Sequence, residues 1–250
     1  MKLDEKIELA AKWISNSKRL VLFTGAGIST HSGLPDFRGP NGLWTRREKR
    51  LPPPKSLSWD QVKPNPAHYA IVDLLNIGKL DYLISQNVDG LHIKSGIPFD
   101  KISELHGNRH FMKCKVCNSK FTYEEVGWDK RIWGEGYRTD FPRPNQPNCP
   151  RCGGRIISSI VNFNDSLPID ELEEARKRSI GSDVFFVIGS SLVVIPAAQL
   201  PLDAKNHGAK LIVLNRGEIP AIYEPDLRFN CDIMDALPLI VEKVKKLESN

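Results

Sequence analysis

Nowhere in its 250 residues does the chain hold an unbroken apolar run long enough to cross a bilayer. The longest apolar stretch, Val184 to Leu200, is interrupted by Gly189, Ser190, Ser191 and Pro196, whereas a spanning helix needs about 20 predominantly apolar residues. Met1 to Lys12 carries Asp4, Glu5 and Glu8, so it does not read as a secretory signal. Cysteine is scarce, with four of the five residues in C-x-x-C pairs. That usage excludes a disulfide scaffold and suits a reducing compartment. The expectation is a soluble, cytoplasmic protein with no membrane partner. Charge of one sign is also in short supply: 35 basic against 30 acidic residues leave +5, which permits acidic partners without demanding them.

The third glycine of a dinucleotide fingerprint is missing as well. Arg19 to Thr24 is a short apolar run that reads as a buried strand and ends in Gly25-Ala26-Gly27, but Thr30 stands where that glycine would be. Glycines at such a turn let the backbone approach a ligand, and a following helix aims free N–H groups at an anion such as a pyrophosphate. On spacing alone, a nucleotide site and an ordinary strand-to-helix turn both remain open. Gly33-Leu-Pro-Asp36-Phe37-Arg38-Gly39 has the composition of a shaped loop over a ligand. Arg38 could clamp a phosphate and Phe37 could cover an aromatic ring. A surface turn with a solvated Arg is the plainer alternative.

Cys114-x-x-Cys117 and Cys149-x-x-Cys152 carry the strongest chemical signal. Thiolates two residues apart bite one metal from a single turn, and two such turns complete a tetrahedral Zn²⁺ site. Four cysteine ligands leave no open position, so the metal is expected to be structural. The 31 residues between the pairs hold Trp128, Trp133, Tyr137 and Phe141 among prolines, an excursion that packs either on stacked bases or on the rest of the protein. Lys113 to Arg155 holds nine basic and five acidic residues, which would direct any weak nucleic-acid contact to this module.

Elsewhere, apolar periodicity predicts helices over residues 4–17, 66–77, 170–179, 196–207 and 237–247. Strands are expected over 81–86, 100–105, 156–163, 183–188 and 209–214. Polar residues follow several of these strands: Gln86-Asn87-Val88-Asp89, His106, Gly189-Ser190-Ser191 and Asn215-Arg216. Ligand contacts in open α/β sheets gather at such strand ends. Asn87 and Asp89 could bond an amide and a water, or simply form an Asx turn. Histidine is the natural proton acceptor near neutral pH, but composition cannot choose among six of them.

Taken together and in order, G-A-G-I-S, D-F-R-G, Q-N-V-D, Glu104-Leu-His106-Gly107, the two C-x-x-C pairs and Gly189-Ser-Ser-Leu192 resemble the sirtuin family over nearly the whole chain. Gly39-Pro-Asn-Gly-Leu-Trp44, Asn87-Val-Asp-Gly-Leu-His92 and Asp165-Ser-Leu-Pro168 are most similar to its class IV branch, which includes nuclear deacylases and mono-ADP-ribosyl transferases. The resemblance implies NAD as co-substrate and an acyl-lysine protein or peptide as partner. It selects His106 as the base, with Asn87 beside it, and implies cofactor contacts from Gly25, Ala26, Gly27, Ser29, Thr30, Asp36, Phe37, Arg38 and Trp44. Gln86, Asn87, Val88, Asp89, His106, Gly189, Ser190, Ser191, Asn215, Arg216, Cys231 and Asp232 complete that set. A substrate peptide would add as a strand between Val161-Asn162-Phe163-Asn164 and the loop at Val194. Asn164-Asp165 departs from the F-G-E-x-L-P of many sirtuins, which bears on flanking preference and rate.

The expected fold is α/β: a Rossmann-like, doubly wound parallel sheet formed by residues 1–39, 81–108 and 156–250. A smaller zinc-containing domain would be formed by the insertions 40–80 and 109–155. By the resemblance, the acyl oxygen attacks the ribose C1′ as nicotinamide leaves, and His106 then deprotonates a ribose hydroxyl. The products are free lysine, nicotinamide and O-acyl-ADP-ribose. Mono-ADP-ribosyl transfer to protein or nucleic acid, and a zinc-ribbon nucleic-acid binder on a Rossmann-like support, are the competing readings.

Overall fold

The computed structural model describes residues 1–249. Short apolar runs that end in glycine or polar turns become strands buried on both faces, as a parallel sheet between helices requires. In chain order the strands are β1 (Leu20–Thr24), β2 (Leu80–Ser85), β3 (Ile102–Glu104), β4 (Phe111–Cys114), β5 (Lys120–Thr122), β6 (Ile156–Ser158), β7 (Val184–Ile188), β8 (Lys210–Leu214) and β9 (Leu227–Phe229). The helices are α1 (Leu3–Asn16), α2 (Leu43–Glu48), α3 (Pro66–Asn76), α4 (Leu91–Ser95), α5 (Lys130–Trp133), α6 (Ile169–Gly181), α7 (Leu200–Asn206) and α8 (Ile233–Glu248). Among the described residues no helix is long and apolar enough to cross a membrane.

Six strands form one parallel sheet in the order β3-β2-β1-β7-β8-β9. Alternate side chains of β1 enter opposite layers: Leu20 and Leu22 pack with α1, α3 and α8 through Ile14, Ile71 and Leu237. Val21 and Phe23 pack on the other face with Phe185, Ala175 and Leu200, the last two from α6 and α7. The expected doubly wound fold is therefore present, and chain order reverses between β1 and β7. Register then fixes the crevice, because Thr24 lies level with Ser85 and Ile188, Ser85 with Glu104, and Ile188 with Leu214. The residues that follow these strands emerge as one row at the carboxyl rim.

A three-stranded antiparallel sheet, β5-β4-β6, carries the cysteines. Here the structure corrects the expected strand over 156–163. Only Ile156–Ser158 is strand, and it pairs with β4 rather than with the large sheet. Beyond it the Val161 N–H donates to the His106 carbonyl at 2.9 Å, so this segment runs along the histidine loop. The closing helix also begins four residues earlier than expected. The Asp232 carboxylate accepts from the Met234 N–H at 3.0 Å and caps α8, which accommodates Pro238 in its interior. Of the helix expected over 196–207 only α7 is α-helical, after a 3₁₀ turn at Ala197–Gln199. Prolines at 196 and 201 explain the broken start. Strand β9 was not foreseen, since three residues with half-buried Arg228 at the centre give no usable pattern.

Candidate active site

The turns after β1 and β7 lie backbone against backbone. A Cβ on Gly25 would stand 2.7 Å from the Gly189 carbonyl oxygen, and one on Gly27 would stand 2.8 Å from the Gly189 Cα. Gly189 itself has φ +66°, a conformation that favours glycine. The Gly27 N–H donates to the Gly189 carbonyl at 2.9 Å and the Ile28 N–H to the Gly25 carbonyl at 3.1 Å. The glycines thus also serve the approach of the neighbouring turn, two N–H groups are used within the protein, and the expected helix after the turn is a seven-residue 3₁₀ segment, Ala26–Ser32. Gly27→Ala is expected to lower stability by about 1–3 kcal/mol, as overpacking does, because backbone faces the new methyl on β7's turn. Thermal unfolding beside the wild type checks it; an unchanged Tm would contradict the packing.

The polar row comes next. Gln86 Nε2 donates to Ser190 Oγ at 2.9 Å, tying the β2 rim to the β7 rim. Buried Asn87 donates through Nδ2 to the Gly25 carbonyl at 3.2 Å and to Ser29 Oγ at 3.3 Å. Ser29 in turn donates to Asp89 Oδ2 at 2.7 Å. Asp89 Oδ1 accepts from the Leu91 N–H at 2.9 Å, so the Asx turn is realised at Asp89. Burial raises the Asp89 pKa above the usual carboxylate value, an effect opposed by these donors.

His106 projects from the loop after β3. Its Nδ1 lies 2.8 Å from the Gln86 carbonyl oxygen. A carbonyl only accepts, so Nδ1 carries the proton and Nε2 of the neutral ring presents a lone pair. Nε2 makes no hydrogen bond within the protein and is not sealed from solvent. Burial lowers the His106 pKa, partly offset by the Gln86 carbonyl, which keeps the ring in its proton-accepting form near neutral pH. The following Gly107 has φ +76°, and a Cβ there would collide with the Ser159 carbonyl. Ser159 Oγ accepts from the Asn108 N–H at 3.0 Å and donates to the Asn108 carbonyl at 2.6 Å. Asn108 Nδ2 donates to buried Glu104 at 2.6 Å, and burial pushes that carboxyl up to about 7. Sequence reasoning missed Asn108, Ser159 and Glu104 beside the His106 loop: Asn108 and Ser159 pair across 51 residues of chain, and Glu104 joins them only through Asn108, four residues on.

Two further histidines are structural. His68 and His92 are buried with ring centroids 5.0 Å apart, and His92 Nε2 bonds Thr24 Oγ1 at 2.9 Å. Desolvation lowers His68 to about 4 and holds His92 well below its usual value, the latter helped by His68. A folded pKa below the unfolded one means that the unfolded chain binds more protons below about pH 6.5. Stability is therefore full above that pH and is lost as pH falls toward 4, on the order of 3 kcal/mol for His68. Denaturant titrations of wild type and His68→Gln across this range should show the smaller pH slope in the variant; equal slopes would contradict it.

A cleft of about 380 Å³ opens at the β1, β7 and β8 ends. Gly27, Thr30, Asp36, Gly189, Asn215, Arg216, Cys231 and Asp232 line it, all expected cofactor contacts, together with the unforeseen His31 and Lys55. Asp232 accepts from His31 Nε2 at 2.9 Å and pairs with Arg216. Asp36 Oδ1 accepts from the Gly39 N–H at 2.9 Å, folding the loop, while burial raises its pKa. Phe37 stacks on Trp44 with centroids 6.2 Å apart. Arg38 is exposed and outside the cleft wall. Ala26, Val88 and Ser191 are half-buried and also outside it. A volume of several hundred Å³, polar edges and a switch-point position fit a dinucleotide.

A model of the Sir2 family matches residues 25–58 and 54–196. The chain belongs to the Sir2 family. It is similar to NAD-dependent protein deacetylase SRT1 of Arabidopsis thaliana, 39% identical over 86% of this chain. That match spans 44% of the relative's length, so the chain covers less than half of it. NAD-dependent protein deacylase 2 of Archaeoglobus fulgidus is 37% identical over 99% of each chain. Among solved structures, a Sir2 homolog in complex with NAD gives a TM-score of 0.71 at 32% identity, covering 96% of this chain and 94% of that one. Sir2Af2 bound to a myristoylated histone peptide gives 0.69 at 34%, covering 98% and 99%.

In this sirtuin the four expected ligand cysteines converge. All four Sγ atoms lie within 4.8 Å of one another, with Cys114–Cys152 at 3.5 Å and Cys117–Cys149 at 3.7 Å. Zn–S bonds of about 2.3 Å place tetrahedral ligands about 3.8 Å apart, so the thiols fit zinc. Close turns bring them there: a Cβ on Gly154 would meet Cys114 Sγ at 2.9 Å. The segment expected to receive substrate is not strand. Val161 and Asn162 are half-buried, Phe163 and Asn164 are exposed, and Val194 is half-buried on the loop before a 3₁₀ turn. Phe163 meets Trp44 edge-on with centroids 5.9 Å apart, which joins the peptide edge to the loop beside the cleft.

Proposed function

We propose that this sirtuin is an NAD-dependent protein lysine deacylase in which His106 is the general base. The reading rests on one observation above all: an imidazole with Nδ1 fixed on the Gln86 carbonyl and Nε2 open, at the sheet's carboxyl rim where β2 and β3 end. NAD supplies an ADP-ribose acceptor and a nicotinamide leaving group. The cleft lined by Asn215, Arg216 and Asp232 holds the dinucleotide's adenosine end, and Gln86, Asn87 and Asp89 hold its nicotinamide half. His106 Nε2 takes the proton of a ribose hydroxyl. The peptide lies along 161–164 opposite Val194, its backbone free to bond there with little demand on sequence. Residues 109–158 form the smaller unit, which adds β6 to the division expected from sequence and is held together by the zinc, whereas α3 and Leu80 of the insertion 40–80 pack in the core of the large sheet.

Similarity to SRT1 and to Sirt6 of Drosophila melanogaster supports the class IV branch as the finer placement. The departure at Asn164-Asp165, beside the peptide edge, bears on flanking preference and deacylation rate, and mono-ADP-ribosyl transfer, which uses the same cleavage with another nucleophile, is the competing activity. Mass analysis of an acetylated peptide incubated with NAD separates the two. Loss of the acyl group is the expected result; a peptide that keeps its acyl group and gains ADP-ribose would overturn the assignment.

A further inference from the structure

Residues 38–63 carry seven basic and two acidic side chains, a net +5 that equals the excess of the whole chain. In the zinc segment four of the nine basic residues are paired with carboxylates: Lys113 with Asp170, Lys120 with Glu171, Lys130 with Glu135 and Arg131 with Asp129. In residues 38–63 they are not. Arg38, Arg46, Arg47, Lys49, Arg50, Lys55 and Lys63 have no carboxylate within salt-bridge reach among the described residues, and all but Arg46 are exposed. The Arg46 Nε donates to the Pro52 carbonyl, which folds the arm back on itself. The arm also has a fixed place. Helix α2 presents Trp44 to Phe163 at the peptide edge, with the Arg47 guanidinium 5.6 Å over the Trp44 ring.

Unpaired cations beside a substrate edge are a field without its counter-charge. Trp44 is stacked by Phe37 and covered by Arg47, and Arg109 lies over Trp59 at 3.7 Å. With these rings engaged by the protein's own groups the arm offers more charge than stacking surface, which favours a carboxylate-bearing partner over single-stranded nucleic acid. We propose that this arm selects substrates by charge, docking acidic residues that flank the acyl-lysine. The inference rests on the deacylase reading and adds a substrate class to it: acylated proteins with acidic flanks.

The test uses three peptides with one central acetyl-lysine and acidic, neutral or basic flanks, assayed on wild type and on Arg47→Glu/Lys49→Glu at low and high salt. Wild type should show kcat/KM about tenfold higher for the acidic than for the basic flank at low salt, carried by KM and shrinking as salt screens the field. The double variant should reverse the order while keeping its rate on the neutral peptide, which also shows that it is folded. Equal kcat/KM for the three flanks in wild type overturns the inference and leaves deacylation standing. Absence of turnover on every peptide removes the deacylase reading and this inference with it. Duplex DNA retarded by wild type but not by the variant, without flank selectivity, would make the arm a nucleic-acid surface and also overturn it.

Discussion

Removing zinc with a chelator, or replacing Cys149 by Ala, is expected to unfold the three-stranded sheet while the parallel sheet keeps its strands. The small sheet has little else to hold it. Its buried cluster is Met112, Cys114, Val126, Trp128, Cys149 and Ile156, and two of these six are metal ligands. Structural zinc in small peptides contributes about 10–16 kcal/mol, against a total stability of about 5–15 kcal/mol for a domain. Loss of one cysteine leaves an open, weaker site and three thiols with no fourth partner. Trp128 and Trp133 lie 5.7 Å apart in this unit, so their fluorescence reports its unfolding, and limited proteolysis between residues 109 and 158 confirms it. Activity should fall too, although none of the four ligand cysteines lines the cleft. Strand β6 leads directly into Ser159, which brackets Asn108 beside the catalytic loop. Unchanged tryptophan emission after chelation would contradict a structural role for the metal.

His106→Ala should lower deacylation by about 10²–10⁴-fold, the usual contribution of a general base. Nicotinamide exchange in the same variant should fall less, because cleavage precedes the step in which Nε2 takes a proton. Equal loss of both would count against the role assigned to His106. The pH profile gives an independent check. Burial lowers the His106 pKa below its ordinary 6.5, so the acid limb of the rate profile should lie below pH 6.5. An acid limb above that value would mean that His106 is not the base or is not shielded as the structure shows.

The centre of the large sheet was legible because β1, β7 and most of β2 and β8 are apolar runs that end in glycine or polar turns, whereas the edge strand β9, Leu-Arg-Phe, gave no such pattern. Ile7, Ala10, Ala11 and Ile14 announced the buried face of α1, and all four are buried. The cysteine spacing announced the four-thiol cluster in the same way. What failed to show depends on partners distant in sequence. Ile156 to Phe163 holds four β-branched residues, Ile156, Ile157, Ile160 and Val161, but the decision to pair with β4 lies in Lys113 and Met112 across the chain. The same holds for Gly25 and Gly27, whose missing side chains also make room for the Gly189 turn, a contact between segments more than 160 residues apart. His106 was chosen by resemblance among six histidines. The physical reason for that choice, a proton fixed on the Gln86 carbonyl, appears only when the ends of β2 and β3 stand side by side.

The central claim is that the rim of this sheet breaks a dinucleotide at its glycosidic bond in step with removal of an acyl group. The most direct measurement follows nicotinamide and deacylated peptide together from NAD and an acetyl-lysine peptide. The account predicts equal amounts of both, O-acyl-ADP-ribose as the third product and no NADH. Deacylated peptide without nicotinamide, or formation of NADH, would contradict it.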